Sequence, residues 1–153
     1  MKVLETRIPP PVVALLFALL IWGAAKYLPG LETRFPLKAI LVPLLLAIGI
    51  FFDLSGLITF LRARTTVNPV SPHKTSSLVQ TGIYKFTRNP MYVGLVFVLS
   101  AWCIYLDFPA ALVGVAVFIV YVHLFQIMPE ERVLLKLFGE EYRDYQSRVR
   151  RWI

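Results

Sequence analysis

The chain alternates long apolar runs with short polar breaks. Four runs are candidates to cross a bilayer: Pro11 to Leu28, Leu37 to Leu61, Met91 to Leu106 and Pro109 to about Phe125. A helical span needs about 20 apolar residues. The second run meets that length comfortably. The third and fourth are short and are divided only by Asp107-Phe108, which predicts a tight helical hairpin. Flanking residues must complete those crossings, or the bilayer must thin locally. Past Pro129 the pattern changes. Leu134, Phe138, Tyr142, Tyr145, Val149 and Trp152 recur at spacings of four, four, three, four and three, which is one stripe of a helix. Pro129 lacks a donor and should kink or restart the chain there. The pattern predicts a single all-α integral membrane domain. Its spans cover about 11–28, 37–61, 91–106 and 109–125, and an amphipathic tail helix covers about 130–152, broken in two by Gly139. The tail should lie on the membrane surface or pack over the cytoplasmic mouth of the bundle.

Composition supports the bilayer. The chain is 58% hydrophobic with a mean hydropathy of +0.68, against about 45–50% apolar residues in soluble domains. The formal charge is +7. The basic residues flank apolar runs, so they read as topology signals and not as a nucleic-acid surface. Of the 16 Lys and Arg, 13 fall on the side of the termini, the central loop and the tail. Lys26, Arg34 and Lys38 fall on the other. The positive-inside rule therefore places both termini and the Arg62 to Arg88 loop in the cytoplasm. Cys103 is the single cysteine and sits in an apolar run, so it reads as a small buried or lipid-facing side chain. The first run follows three prolines and has no small-residue cleavage site, so it does not read as a removed signal peptide.

The longest polar and aromatic interruption carries the candidate chemistry. It is Thr81 to Tyr92, T-G-I-Y-K-F-T-R-N-P-M-Y. Gly82 can take the positive φ of a tight turn. Asn89 suits an N-cap, and Pro90 suits the first helical position. The stretch thus brings Arg88 and two tyrosines to a helix N-terminus, where free N–H groups favour a carboxylate or phosphate. A plain cap with Arg88 as an interface anchor explains the same residues. Upstream, Asn68-Pro69 and Ser71-Pro72 make the loop turn-rich. Lys74, Ser76 and Ser77 are either ligand contacts or solvated loop residues.

Polar groups also occur within the spans. Asp53 lies in the second, and an intramembrane acid is by default a functional candidate. A protonated or Ser55-partnered structural acid is the other reading. His123 and Gln126 are three residues apart and share a face that Glu130 would continue. Glu130 and Glu131 also fit a first helical turn, where acids suit the helix dipole. There is no metal-ligand spacing, phosphate loop or soluble dinucleotide fingerprint.

Two of these segments carry a family resemblance. S-L-V-Q-T-G-I-Y-K-F-T-R-N-P-M-Y, followed after two spans by P-E-E-R-V-L-L-K-L-F-G-E-E-Y-R-D-Y, resembles the isoprenylcysteine carboxyl methyltransferase and phospholipid methyltransferase superfamily. The two signatures of that superfamily are R-H-P-x-Y and a paired E-E after the last span. The R-N-P-M-Y form is similar to the compact bacterial members, which implies a bacterial inner membrane. The resemblance covers Lys74 to Ile153 and implies an S-adenosylmethionine site. By that resemblance Leu78, Val79, Tyr84, Asn89, Pro90, Met91, Tyr92 and Glu130 hold the cofactor, with Ser77 placed beside them. Arg88, Glu131 and His123 are the expected catalytic groups, and Gln126 and Asp53 the expected acceptor contacts.

Two positions depart from the family pattern. Asn89 replaces the histidine. Gln126 replaces an arginine that serves the substrate carboxylate in prenylcysteine methyltransferases, and a neutral amide cannot form that ion pair. The resulting reading is methyl transfer to a lipophilic acceptor other than a prenylcysteine carboxylate, at the cytoplasmic membrane face. A nicotinamide-dependent membrane reductase related to sterol reductases and a non-enzymatic membrane adaptor are the alternatives.

Overall fold

A computed structural model of the chain describes residues 8–28, 34–63 and 77–153. Lys74 and Ser76 lie outside them. The described residues are helical, without strands. Helix α1 spans Pro10–Tyr27, α2 Lys38–Arg62, α3 Pro90–Tyr105, α4 Leu112–Val122 and α5 Met128–Arg148. Three helical bodies are long and apolar enough to cross a membrane: α1, α2 and the continuous body Pro109–Arg148. Helix α3 is apolar but only 16 residues long, or about 24 Å at the helical rise.

Helix α3 is the hub. Helices α1 and α4 pack on it from one side and α2 from the other. The core joins Val13 and Ile21 of α1, Leu99 and Cys103 of α3, and Val115, Phe118 and Val122 of α4. Cys103 is fully buried there. Helix α2 buries only Gly49 and Gly56; Leu44, Ile50, Phe51 and Leu61 are exposed, as lipid contact requires, while Phe52 stacks on Phe97 of α3 and Phe60 packs on Tyr84. The two glycines let the backbones approach closely. A Cβ on Gly94 of α3 would sit 2.2 Å from Asp53 Oδ1 and 2.8 Å from the Gly49 carbonyl.

The end away from the long loop is tied by charge. Asp107 takes a positive φ of 53° in the α3–α4 hairpin. It accepts from Lys38 Nζ at 2.7 Å, and that hydrogen bond holds its carboxyl below the usual carboxylate range. Lys38 also sits over the Tyr105 ring, and Lys26 over Trp22. These are the aromatic and basic anchors expected at a membrane interface.

The break expected at Pro129 is absorbed differently. His123–Ile127 forms a π-helical turn, so the chain passes from α4 into α5 without stopping. Widening the turn before Pro129 accommodates its ring and its missing donor. The interruption falls instead at Gly139, with φ 51° and ψ −120°. The tail helix ends at Arg148, short of the expected 152. Val149 is extended, because the last residues leave the helix to bond the Thr87–Asn89 segment.

We expect Gly94→Ala to destabilise the protein in detergent, by about 1–3 kcal/mol if it behaves as an overpacked core site. Gly23→Ala, with nothing within 4 Å of the added carbon, should be neutral or mildly stabilising. Thermal unfolding of the two variants checks the pair.

Candidate functional site

A cavity of about 570 Å³ opens between the N-terminus of α1, the second half of α2, the Ser77–Tyr92 segment and α5. Its size falls within the usual range for small-molecule sites, about 300–1,000 Å³. Its two ends differ. Asp53, Leu54, Leu57, Met91 and Leu95 line the part within the helices. Arg88, Asn89, Glu130, Glu131, Tyr142 and Tyr145 line the part toward the loop and tail.

Local sequence explains how the loop residues arrive there. Gly82 adopts a φ of 59°, and a Cβ at this position would meet Thr59 Oγ1 at 2.8 Å. Gly82–Lys85 then forms a 3-10 turn that buries Tyr84. Tyr145 donates its hydroxyl to the Tyr84 carbonyl at 2.8 Å. Burial, with the neighbouring Tyr145 and Glu130 charges adding to it, raises the Tyr84 hydroxyl well above its ordinary pKa. Asn89 stands at the N-cap position, but its side chain makes no capping bond. Its Nδ2 donates to the Arg151 carbonyl at 2.8 Å. Arg88 N donates to the Arg150 carbonyl at 3.0 Å, and Thr87 Oγ1 to that of Arg151 at 3.3 Å. The C-terminal residues thus strap the segment that carries Arg88.

The charged end is a linked set. Tyr92 donates its hydroxyl to Glu130 Oε1 at 2.7 Å. Glu131 accepts from Arg151 Nε at 3.0 Å and from Nη2 at 2.6 Å. Arg88 Nη1 also lies 2.9 Å from Glu131 Oε1. That contact is an ion pair by distance but is not aligned as a hydrogen bond, and Arg88 Nε and Nη1 are both buried without a hydrogen-bond acceptor among the described residues. Tyr142, fully buried, lies beside the same guanidinium.

Most of the residues expected from sequence meet in this cavity. Asp53, Ser77, Leu78, Val79, Tyr84, Arg88, Asn89, Met91, Tyr92, Glu130 and Glu131 all line it. Three do not. Pro90 is buried against Gly56 of α2. Gln126 is fully buried, and its Nε2 donates to the Ile8 carbonyl at 3.0 Å. His123 meets the site through Arg151, with its Nε2 3.4 Å from Arg151 Nη1. The π-helical turn accounts for both departures, because it rotates His123 and Gln126 off the face that Glu130 occupies. Asp53 abuts Gly94 and not Ser55, whose carbonyl accepts from Thr59. Sequence reasoning did not place Tyr142, Tyr145 and Arg151 at the site. The helical stripe contained both tyrosines, but periodicity alone could not separate packing from lining.

Chemically, the cavity offers the Arg88 side chain, whose Nε and Nη1 are buried without acceptors, the Glu130 carboxyl, whose pKa burial raises to about 8 and which accepts from the Tyr92 phenol, tyrosine walls and an apolar extension ending at Asp53. The sequence profile of the family described as "Phospholipid methyltransferase" matches residues 37–141. An uncharacterised Haemophilus influenzae protein is 44% identical over 63 residues, which is 41% of this chain and 100% of that protein. Methanethiol S-methyltransferase 1 of Bradyrhizobium diazoefficiens is 40% identical over 67 residues, 44% of this chain and 22% of its own length. Methanethiol S-methyltransferase of Pseudomonas deceptionensis is 33% identical over 101 residues, 64% of this chain and 35% of its own. This chain therefore spans about a quarter to a third of those two enzymes. No solved structure matches the chain significantly.

Tyr145→Phe removes the hydroxyl that holds the Tyr84 carbonyl. It should destabilise the protein by about 0.5–1.5 kcal/mol, the usual net worth of one hydrogen bond. Denaturation in detergent measures this, and Tyr105→Phe, at an exposed site, should leave stability unchanged.

Proposed function

The chain belongs to the phospholipid methyltransferase family, and from that premise we propose that it transfers a methyl group from S-adenosylmethionine to a lipophilic acceptor at the cytoplasmic face of a bacterial inner membrane. The observation that carries the reading is one cavity that joins a polar end, with Arg88, Glu131 and Glu130, to an apolar end holding Asp53. In this reading α3 is a fourth, short span, and α5 is the cytoplasmic tail helix.

The residues present fit the methyl donor. Arg88 has two buried N–H groups without acceptors, which suit its carboxylate. Glu130 suits its ammonium or ribose hydroxyls, and the faces of Tyr84, Tyr142 and Tyr145 suit a cation or an adenine ring. When bound, S-adenosylmethionine supplies an electrophilic methyl group on a sulfonium that becomes a neutral thioether. The protein's contribution is then alignment and exclusion of water. Tyr92 fixes Glu130, and the C-terminal strap fixes Arg88 and Asn89. Asp53 is the carboxylate at the apolar end, so it takes the proton that a thiol or ammonium acceptor must lose. We favour a thiol-bearing acceptor, in view of the two methanethiol S-methyltransferases among the relatives. With a thiol acceptor, Asp53 would hold the thiol's proton, while the acceptor sulfur would take the methyl group and the donor leave as the neutral thioether. Gln126 and His123 have no part in this reaction.

Calorimetry should detect S-adenosylhomocysteine binding, weakened in Glu130→Ala by about 1–3 kcal/mol if a hydrogen bond to a charged group is lost. Binding of a nicotinamide nucleotide, with none of S-adenosylhomocysteine, would sink the methyltransferase reading. The orientation rests on the 13 of 16 basic residues assigned to one side. In a Cys103→Ser background, a cysteine at Glu32 should be labelled from outside intact cells and one at Gln146 should not. The reverse pattern would place the site outside.

A further inference from the structure

We infer that Arg151 takes up both oxygens of Glu131, and so leaves the Arg88 Nε and Nη1 donors, which Glu131 touches only as an unaligned ion pair, available to an anionic group in the cavity. One carboxylate stands between two guanidinium groups. Arg151 takes both of its oxygens, at 3.0 and 2.6 Å, which is the forked pairing that carboxylates and arginine prefer. Arg88 reaches the same carboxylate only edgeways. Its Nη1 is 2.9 Å from Oε1 but unaligned, and its Nε and Nη1 remain without hydrogen-bond acceptors. The Arg88 side chain is only 10% exposed, so water does not readily meet those donors. An unmet buried donor is costly to leave, and Arg88 is one of the residues that line the cavity.

The backbone prevents the obvious relaxation. Arg88 N is bonded to the Arg150 carbonyl, and Asn89 Nδ2 to the Arg151 carbonyl. The segment that delivers the Arg151 side chain to Glu131 therefore also pins the loop that carries Arg88. Without the Arg151 side chain, Glu131 is free to turn and pair fully with Arg88. The Arg88 donors would then be filled by Glu131. Arg151 is thus a positioning residue that acts through Glu131.

The matching ligand group is a carboxylate or a phosphate. On the reading proposed above, it is the donor's amino-acid carboxylate, and a lipid headgroup phosphate is the other source of the same chemistry. The test uses the full chain in detergent. Calorimetry compares S-adenosylhomocysteine, which carries the carboxylate, with 5′-methylthioadenosine, which lacks it. Native mass spectrometry measures retention of phosphatidylglycerol. Arg151→Ala should weaken S-adenosylhomocysteine on the order of tenfold, equivalent to losing a charge-assisted hydrogen bond, with methylthioadenosine unchanged. Loss of phosphatidylglycerol alone would assign the anion to a headgroup. Adding Glu131→Gln to Arg151→Ala should restore binding, because an amide does not neutralise Arg88. A purely structural role for Arg151 predicts no such restoration. Arg151→Lys, which offers a point charge and no fork, should give an intermediate loss and carries the test if the alanine variant fails to fold. The inference is overturned if the Arg151 variants bind all three ligands as the wild type does, lose all three together, or are not restored by Glu131→Gln. If the wild type binds no S-adenosylhomocysteine, the methyl-donor reading fails, while phosphatidylglycerol retention still decides the role of Arg151.

Discussion

Glu131 lies between Arg88 and Arg151, and the three groups come from separate parts of the chain: the loop before α3, the start of α5 and the C-terminal strap. Arg88 and Glu131 line the cavity. Among its described residues, 77–89, the loop forms one 3-10 turn, Gly82–Lys85. Its position is set by the carbonyls of Arg150 and Arg151 and by the Glu131 carboxylate. Glu131 is only 12% exposed, so its charge would be expensive without both partners. The same low exposure strengthens each contact that is made.

The rest of the bundle solves a different problem. Lipid provides no hydrophobic force to press one helix against another. Helix α2 is held to α3 because Gly49, Gly56 and Gly94 allow backbone-level approach, and Asp53 occupies the space that a side chain at position 94 would fill. The crossing that packs the helices therefore also delivers the one acid to the apolar end of the cavity. At the opposite end of the bundle, Lys38 and Asp107 join α2 to the α3–α4 hairpin without touching the site. The Lys38–Asp107 tie and the candidate chemistry lie at opposite ends of the bundle.

Much of this was legible in the residues. The apolar runs set α1, α2 and α3 to within a residue or so at each end, because length and hydropathy decide a membrane helix almost alone. Residues of the R-N-P-M-Y and E-E segments line one cavity. Legibility ended where backbone geometry intervened. A π-helical turn adds one residue to a turn, and no periodicity announces it. It moved His123 and Gln126 away from Glu130 and removed the argument built on Gln126 facing an acceptor. The role of Arg151 was hidden for a related reason. Its charge fitted a solvated helix face, whereas the chain leaves the helix after Arg148 to satisfy the loop's donors. Tyr142 and Tyr145 read equally well as packing or lining, and only the cavity distinguishes the two.

The central claim is methyl transfer through this cavity. The most direct measurement is incubation of the purified protein and native lipid extract with methyl-labelled S-adenosylmethionine, followed by detection of label in solvent-extracted products. The account predicts labelled product with the wild-type protein, a thioether in the case of a thiol acceptor, and little or none with Glu130→Ala. Absence of label with folded wild-type protein across lipid and lipophilic-thiol acceptors, or label transfer undiminished in Glu130→Ala, would contradict it.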